Sequence, residues 1–445
     1  MKHLPVEVFI QRRQKLMASL PSKALLLVPS ATLVTRSRDT EHPFRQDSDF
    51  WYLTGFNEPD ALLVLMKGYS EGEQFLFNQP KDKLMETWTG IRLGQEGAVS
   101  QLGFDQAFML TEIDQQLPKL LAEASEVWMP IEDEALYSRY LFWRQQVRAR
   151  FKRVASLPAR ITDLSQQLGE MRLIKAPEEI ELMKEAARIS AEAHCRAMQV
   201  CRPNMHEYQL QAELEHEFRM QGASGPSYGS IVGSGDNACV LHYVENKGVM
   251  QAGDLVLIDA GAEYQGYAGD ITRTFPVSGV FSLQQKQLYS LVLKANLLAI
   301  SLTRPGATLD ELHQAVVHCL VTGLVELGLL KGEVAALIEA ESYKVFFMHG
   351  TSHWLGLDVH DVGLYRQDGK ARPLEEGMVF TIEPGLYIAP DQQGVDPLWQ
   401  GLGIRIEDDI LVTATGCEVL TSGVPKTIEG IESLMKGEDH AAAGV

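Results

Sequence analysis

Leu255-Val256-Leu257-Ile258-Asp259-Ala260-Gly261-Ala262-Glu263-Tyr264-Gln265-Gly266-Tyr267-Ala268-Gly269-Asp270-Ile271-Thr272-Arg273-Thr274-Phe275 is the stretch on which the fold turns. Its first four residues are apolar on both faces, as in a buried strand, and they run into Asp259. A lone carboxylate there is costly to ionise. Glu263 to Gly266 reads as a four-residue turn, so the chain folds back as a hairpin through Gly266 to Phe275, and Asp259 faces Asp270. Directly opposed residues place their Cβ atoms about 4.5–5.5 Å apart, where two like charges repel and a bound cation reverses the penalty. A different register would leave the two acids merely solvated at the rim of the sheet.

Outward from the hairpin, helical signals come in pairs. Pro177-Glu178-Glu179 suits a helix start, with proline at the first position and acids in the first turn, and this helix is expected to reach about Met198. A second helix is expected from about His206 to Gln221. Beyond the hairpin, Ser282 with Gln285 and Thr308 with Glu311 have the capping-box spacing that marks two further helix starts. Late strands at about Met378 to Glu383 and Gly403 to Val412 complete an α+β domain over residues 171–445. Residues 1–170 alternate strand-like runs (Ala24 to Val28, Trp51 to Leu53, Ala61 to Met66, Phe75 to Phe77) with amphipathic stretches and read as an α/β domain, its boundary near Met171. The tail from Lys436 to Val445 reads as a solvated, frayed end.

A chain of 445 residues exceeds what one core usually serves, and its 45% apolar content supports two packed domains. The net charge of −19 argues against a nucleic-acid or anionic-membrane surface, either of which needs clustered cations. Five cysteines without a paired spacing fit a reducing compartment, and no stretch has the roughly 20 apolar residues of a membrane span or the apolar core of a signal peptide. A cytoplasmic protein is expected, with small molecules or copies of itself as partners.

Between His349 and Gly363 lie His349, His353 and His360, three of the chain's 12 histidines. Imidazole is a common metal ligand and proton carrier, and residues four apart share a face of either a helix or a strand. Glu383 follows the run Met378 to Ile382 where a buried strand ends. Arg405 and Glu407 share a face by the two-residue period, but Asp408 and Asp409 compete with Glu407, and periodicity does not choose between Glu407 and Asp409.

The order of the motifs adds a resemblance. IDAGAEYQGYAGDITRTF at 258–275, HGTSHWLGLDVHDVG at 349–363, TIEPGLY at 381–387 and GIRIEDDILVT at 403–413 together resemble the aminopeptidase P (Xaa-Pro aminopeptidase) group of the pita-bread metallopeptidases. So does TRSRDTEHPFRQDSDFWYLTGFNEPDA at 35–61, and the likeness covers almost the whole chain. It implies a curved, mainly antiparallel sheet backed by helices in two pseudo-symmetric halves. It also implies two divalent metal ions, with manganese as the usual metal, held by Asp259, Asp270, His353, Glu383 and Glu407. It makes His242, His349 and His360 substrate-facing histidines, Arg405 a pocket arginine, and Tyr387 and Asp39 its hydrogen-bonded companions. Trp88 and Tyr228 fall where that group has pocket-edge aromatics. A homo-oligomer, with a tetramer as one form, is implied as well, its contacts supplied by the N-terminal domain.

The activity so implied is release of the N-terminal residue from peptides with proline at position two. The amide before proline has no N–H, and its nitrogen must gain a proton as it departs. His360 and His242 are the candidates for holding the carbonyl there, His349 and Arg405 for shaping the ring pocket, and Glu383 for moving a proton. Two other readings stand beside this one: an Xaa-Pro dipeptidase (prolidase), and a pita-bread module that binds peptides without cleaving them.

Overall fold

The computed structural model describes residues 3–151 and 157–437, so the expected frayed tail lies outside it beyond Gly437. Two compact units divide the chain, the first spanning Leu4–Met171 and the second beginning at Arg172.

The first unit is built on a six-stranded mixed sheet in the order Gln106–Met109, Gln74–Asn78, Leu62–Met66, Ala24–Pro29, Glu126–Met129, Ile161–Asp163. The pairings 24–29 with 62–66 and 62–66 with 74–78 are antiparallel and the others parallel. Leu25, Leu27, Val64 and Phe77 bury one face against Leu117 and Trp143. The run Trp51 to Leu53, expected as a strand, lies instead in a helix, Ser48–Thr54. Local caps decide it: the Asp47 carboxylate accepts from Phe50 N at 2.8 Å, and Gly55 at φ 64° ends the helix in the left-handed region.

The second unit repeats one pattern twice. Helices Pro177–Val200 and Glu207–Met220 precede strands Ile231–Ser234, Leu255–Asp259, Ala262–Tyr264, Tyr267–Ala268 and Thr272–Pro276. Helices Leu283–Leu302 and Leu309–Glu326 precede strands Val379–Ile382, Gly385–Ile388, Leu402–Arg405, Asp408–Val412 and Cys417–Val419. Both capping boxes form as their spacing predicts, with Gln285 N on Ser282 Oγ at 3.3 Å and Glu311 N on Thr308 Oγ1 at 3.2 Å. All strand pairs in these ten strands are antiparallel.

The hairpin register differs from the expected one. Tyr264 pairs with Tyr267, and Asp259 pairs with Thr272, so the two acids are not directly opposed. The turn is Tyr264 to Tyr267, whose central residues Gln265 (φ 52°) and Gly266 (φ 84°) take the left-handed backbone of a type I′ hairpin turn. The reading that began the turn at Glu263 would have put Tyr264, a bulky residue, in that conformation. The shift is two residues, and the strand period is also two, so Asp270 stays on the same face as Asp259. Where the strands cross at Gly261 and Gly269 they approach so closely that a Cβ on Gly261 would lie 1.7 Å from Gly269 O.

The single late strand expected over Gly403 to Val412 is two strands, 402–405 and 408–412, with different partners. Between them Glu407 N bonds Thr272 O at 3.0 Å, and Arg405 N bonds Thr274 Oγ1 at 3.2 Å. At this seam Ile406 N stays bonded to Pro384 O of its own half at 3.2 Å, while Glu407 ties the chain to the first half.

Candidate active site

The seam brings carboxylates from both halves into one place. Asp259 ends its strand and Asp270 follows the glycine crossing, and the Tyr228 hydroxyl lies 2.5 Å from Oδ1 of each. A phenol has one proton to donate, so it serves one acid at a time. Tyr228 therefore bridges the two acids and also lines the cleft above them. Arg405 meets Asp259 Oδ2 at 2.6 Å and the Tyr387 hydroxyl at 2.8 Å.

The other donors come from the second half. Residues 351–355 run beside the 379–382 strand, with Thr381 N on His353 O at 3.0 Å and Glu383 N on Thr351 O at 2.8 Å. That pairing sets His353 next to Glu383. His353 Nε2 is 3.4 Å from Asp270 Oδ2 and 3.5 Å from Glu383 Oε1. Ligating atoms of Asp270, His353 and Glu407 all lie within 4.8 Å of one another. The competition that periodicity leaves among the acids is resolved by their partners. Glu407 faces this cluster, Asp408 turns away to Arg273 (2.8 Å) and Lys426 (2.6 Å), and Asp409 accepts from Asp270 N at 3.1 Å behind it.

Burial, together with the repulsion of Asp270, Glu383 and Asp259, holds the Glu407 carboxyl well above its ordinary range. Burial likewise lifts Asp270 and lifts Glu383 to about 7. Burial works against an imidazolium at His353, but Asp270 and Glu383 outweigh it and bring the ring up to about 9. At His349, burial and the nearby Arg405 push the ring down to about 4, and burial and His353 lower His360. Four acids thus repel one another in a buried site where Arg405 is the one permanent cation among the described lining residues. A donor set of four carboxylates and one imidazole fits hard or borderline divalent ions, whose charge would relieve that repulsion.

A cleft of about 520 Å³ opens over the cluster, lined by Tyr228, His242, Asp259, Asp270, His349, His353, His360, Glu383, Arg405 and Glu407, with Ile231, Leu241, Val244 and Val359 as apolar wall. His360 stacks edge-on to His353 with ring centroids 4.3 Å apart. Tyr387 joins from behind: its hydroxyl takes a bond from Arg405 and lies 2.9 Å from His349 Nε2. His349 Nδ1 is 2.7 Å from Gly350 O, which fits a neutral ring protonated at Nδ1 and accepting from Tyr387. Asp39 and Trp88 belong to the first unit. Asp39 lies in the exposed turn between strands Thr35–Ser37 and Thr40–Glu41, and Trp88 is 80% exposed on the helix Lys83–Thr89.

Sequence reasoning missed Thr272, which donates to Glu407 Oε2 at 2.7 Å and accepts from Arg405 Nε at 3.0 Å. It also missed Thr381, whose hydroxyl accepts from His353 N at 3.1 Å. Each stands two residues from an acid on the same strand face, Thr272 after Asp270 and Thr381 before Glu383, a signal that the two-residue period could have supplied.

Comparison with known proteins accounts for this arrangement. The profile of metallopeptidase family M24 matches residues 181–414, more than half of the chain. The chain belongs to metallopeptidase family M24. Within it, residues 9–128 match the N-terminal domain of aminopeptidase P, and the second unit is the pita-bread domain, so the expected fold class holds. The Xaa-Pro aminopeptidase of Escherichia coli (strain K12) is 49% identical over 438 residues, covering 98% of this chain and 99% of that protein. Aminopeptidase PepP of Pseudomonas aeruginosa superposes with a TM-score of 0.97 at 49% identity, over 98% of this chain and 99% of that one. Aminopeptidase P from E. coli with the inhibitor Pro-Leu gives a TM-score of 0.95 at 49% identity with the same coverage. This chain is a metallo-exopeptidase, and Asp270, His353 and Glu407 form a group able to hold divalent metal.

Proposed function

We propose that this chain is an Xaa-Pro aminopeptidase, releasing the N-terminal residue from peptides with proline at position two. The observation that carries the reading is the convergence of Asp259, Asp270, His353, Glu383 and Glu407 beneath one cleft whose walls hold His242, His349, His360 and Arg405. These five residues are the ligands of two divalent ions, most readily manganese. When bound, the ions acidify water and polarise the scissile carbonyl.

The chain's own residues do the rest. Glu383, within 3.6 Å of His349 and 3.5 Å of His353, accepts and returns a proton. His360 and His242 stand at the solvent side of the cleft, where they bind the carbonyl flanking proline as charge develops on it. Arg405, Tyr387 and His349 form a hydrogen-bonded row that fixes the shape of the ring pocket. On the same reading Asp39 and Trp88 contact substrate, and the first unit carries the contacts of a homo-oligomer, with four copies as its fullest form. A cytoplasmic location fits five free thiols and, among the described residues, no helix long and apolar enough to cross a membrane.

An Xaa-Pro-Xaa tripeptide assayed with chelator, and again with added manganese, tests the reading. Metal-dependent release of the first residue supports it. Cleavage confined to Xaa-Pro dipeptides would make the protein a prolidase, and tight peptide binding without cleavage in the presence of manganese would make it a binding module.

A further inference from the structure

Glu207, the first residue of the helix Glu207–Met220, is fully buried outside the metal cluster and is claimed by more donors than a helix start requires. Its Oε1 accepts from Ser234 N (2.7 Å), Ser234 Oγ (2.9 Å) and Asn237 Nδ2 (3.0 Å), and its Oε2 accepts from the Tyr243 hydroxyl (2.8 Å) and Gly248 N (2.7 Å). Its own N–H bonds Gly248 O at 3.0 Å. An acid in the first helical turn needs no partner beyond the helix dipole and water. Here five donors, all from residues 234–248, fill both oxygens.

Residues 240–248 have almost no regular secondary structure, yet Leu241, His242 and Val244 line the cleft. Two side chains fix this stretch to the body of the domain. Asn246, 1% exposed at φ 51°, accepts from Val232 N at 2.9 Å and donates to Gln211 Oε1 and Ser230 O at 2.8 Å each. Tyr243, next to His242, donates to Glu207 and accepts from Lys247 N at 3.2 Å. A Cβ on Gly248 would lie 2.8 Å from Glu207 Oε1, so the loop closes directly on the carboxylate.

We propose that Glu207, acting through Tyr243, is a positioning residue for His242, holding the 234–248 segment so that this histidine stands over the cleft. The inference rests on the reading of His242 as a group that binds the substrate carbonyl. The buried carboxylate sets the loop's conformation, and the tyrosine transmits it to the adjacent residue.

A double-mutant cycle on the metal-loaded, full-length protein tests this with an Xaa-Pro-Xaa tripeptide. Tyr243→Phe keeps the ring and removes one hydrogen bond to a carboxylate, and should lower kcat/KM about tenfold. His242→Ala should lower it about 100-fold or more. The double variant should match His242→Ala within about twofold, because the tyrosine then has no histidine to place. In Tyr243→Phe, amides 240–248 should exchange faster and the melting temperature should fall by only a few degrees, roughly 2–4 °C per kcal/mol lost, while bound metal stays at its wild-type value. Equal, additive losses in both backgrounds would overturn the inference alone, as would wild-type turnover in Tyr243→Phe or a loss of metal in step with activity. Wild-type turnover in His242→Ala would sink the reading of His242 itself, and the inference with it.

Discussion

Arg405 joins Asp259 to Tyr387: Nη2 lies 2.6 Å from the carboxylate while Nη1 lies 2.8 Å from the phenol. The guanidinium is 4% exposed and also bonds Thr272, so one fixed planar group spans an acid of the first half and a tyrosine of the second. Lysine offers no such fork. Arg405→Lys should therefore lower kcat/KM on an Xaa-Pro-Xaa peptide by about 10- to 100-fold, given about 1.5–3 kcal/mol for a hydrogen bond to a charged group. Steady-state kinetics with metal content measured in parallel will check this.

The repulsion among the buried acids predicts a change of sign on metal loading. In metal-free protein, Asp270→Asn should raise the melting temperature by roughly 2–4 °C, corresponding to relief on the order of 1 kcal/mol. With manganese the order should reverse, since an ion at about 100 times its Kd adds about 2.7 kcal/mol to a protein able to bind it. Calorimetry of both proteins with and without metal decides it, and a variant less stable than wild type in both states would contradict the electrostatic account.

His360 stands edge-on to His353 at the open side of the cleft. His360→Ala should lower kcat by about 100-fold with little change in bound metal, the scale expected for loss of one preorganised donor. Near-normal turnover with metals bound would remove His360 from the mechanism.

Asp361 is buried beside Lys175 (3.0 Å) and Arg172, and bonds Trp354 O through its own N–H at 2.9 Å. Burial alone would raise its carboxyl, but Lys175 and Arg172 outweigh it and hold it below the usual carboxylate range. Because the folded value lies below the unfolded one, the stabilisation is complete above the ordinary value of about 4 and is lost as pH falls through the folded value. At pH 7, Asp361→Asn should cost about 3–5 kcal/mol, since it takes the carboxylate from the buried Lys175 and one of the carboxylates from Arg172, which keeps Asp358 at 2.7 Å. Urea titrations from neutral pH down to about pH 3 should show the gap between variant and wild type narrowing as acid is added.

Much of the site was legible because strand period and helix caps are local properties. The pairing of Arg405 with Glu407 on one face, Glu383 at a strand end, and both capping boxes follow from spacing alone. The hairpin register was misread by two residues, yet the acids still share a face, because an even shift does not turn a strand over. What failed depended on competition. Trp51 to Leu53 is apolar enough for a strand, and only the caps at Asp47 and Gly55 tip it to a helix. The break at Ile406 and Glu407 was invisible because it is made by Thr272, more than a hundred residues earlier in the chain. The rejection of Asp408 likewise needed Arg273 and Lys426, which no periodicity brings to it.

The seam at Glu407 and Thr272 gives metal uptake a second meaning. Of the five proposed ligands, Asp259 and Asp270 come from the first half and His353, Glu383 and Glu407 from the second. A chain with one half still open can present only two or three of them, too few to compete for an ion with a finished molecule. On that ligand assignment, a chain that carries its metals would be one whose two halves have already met.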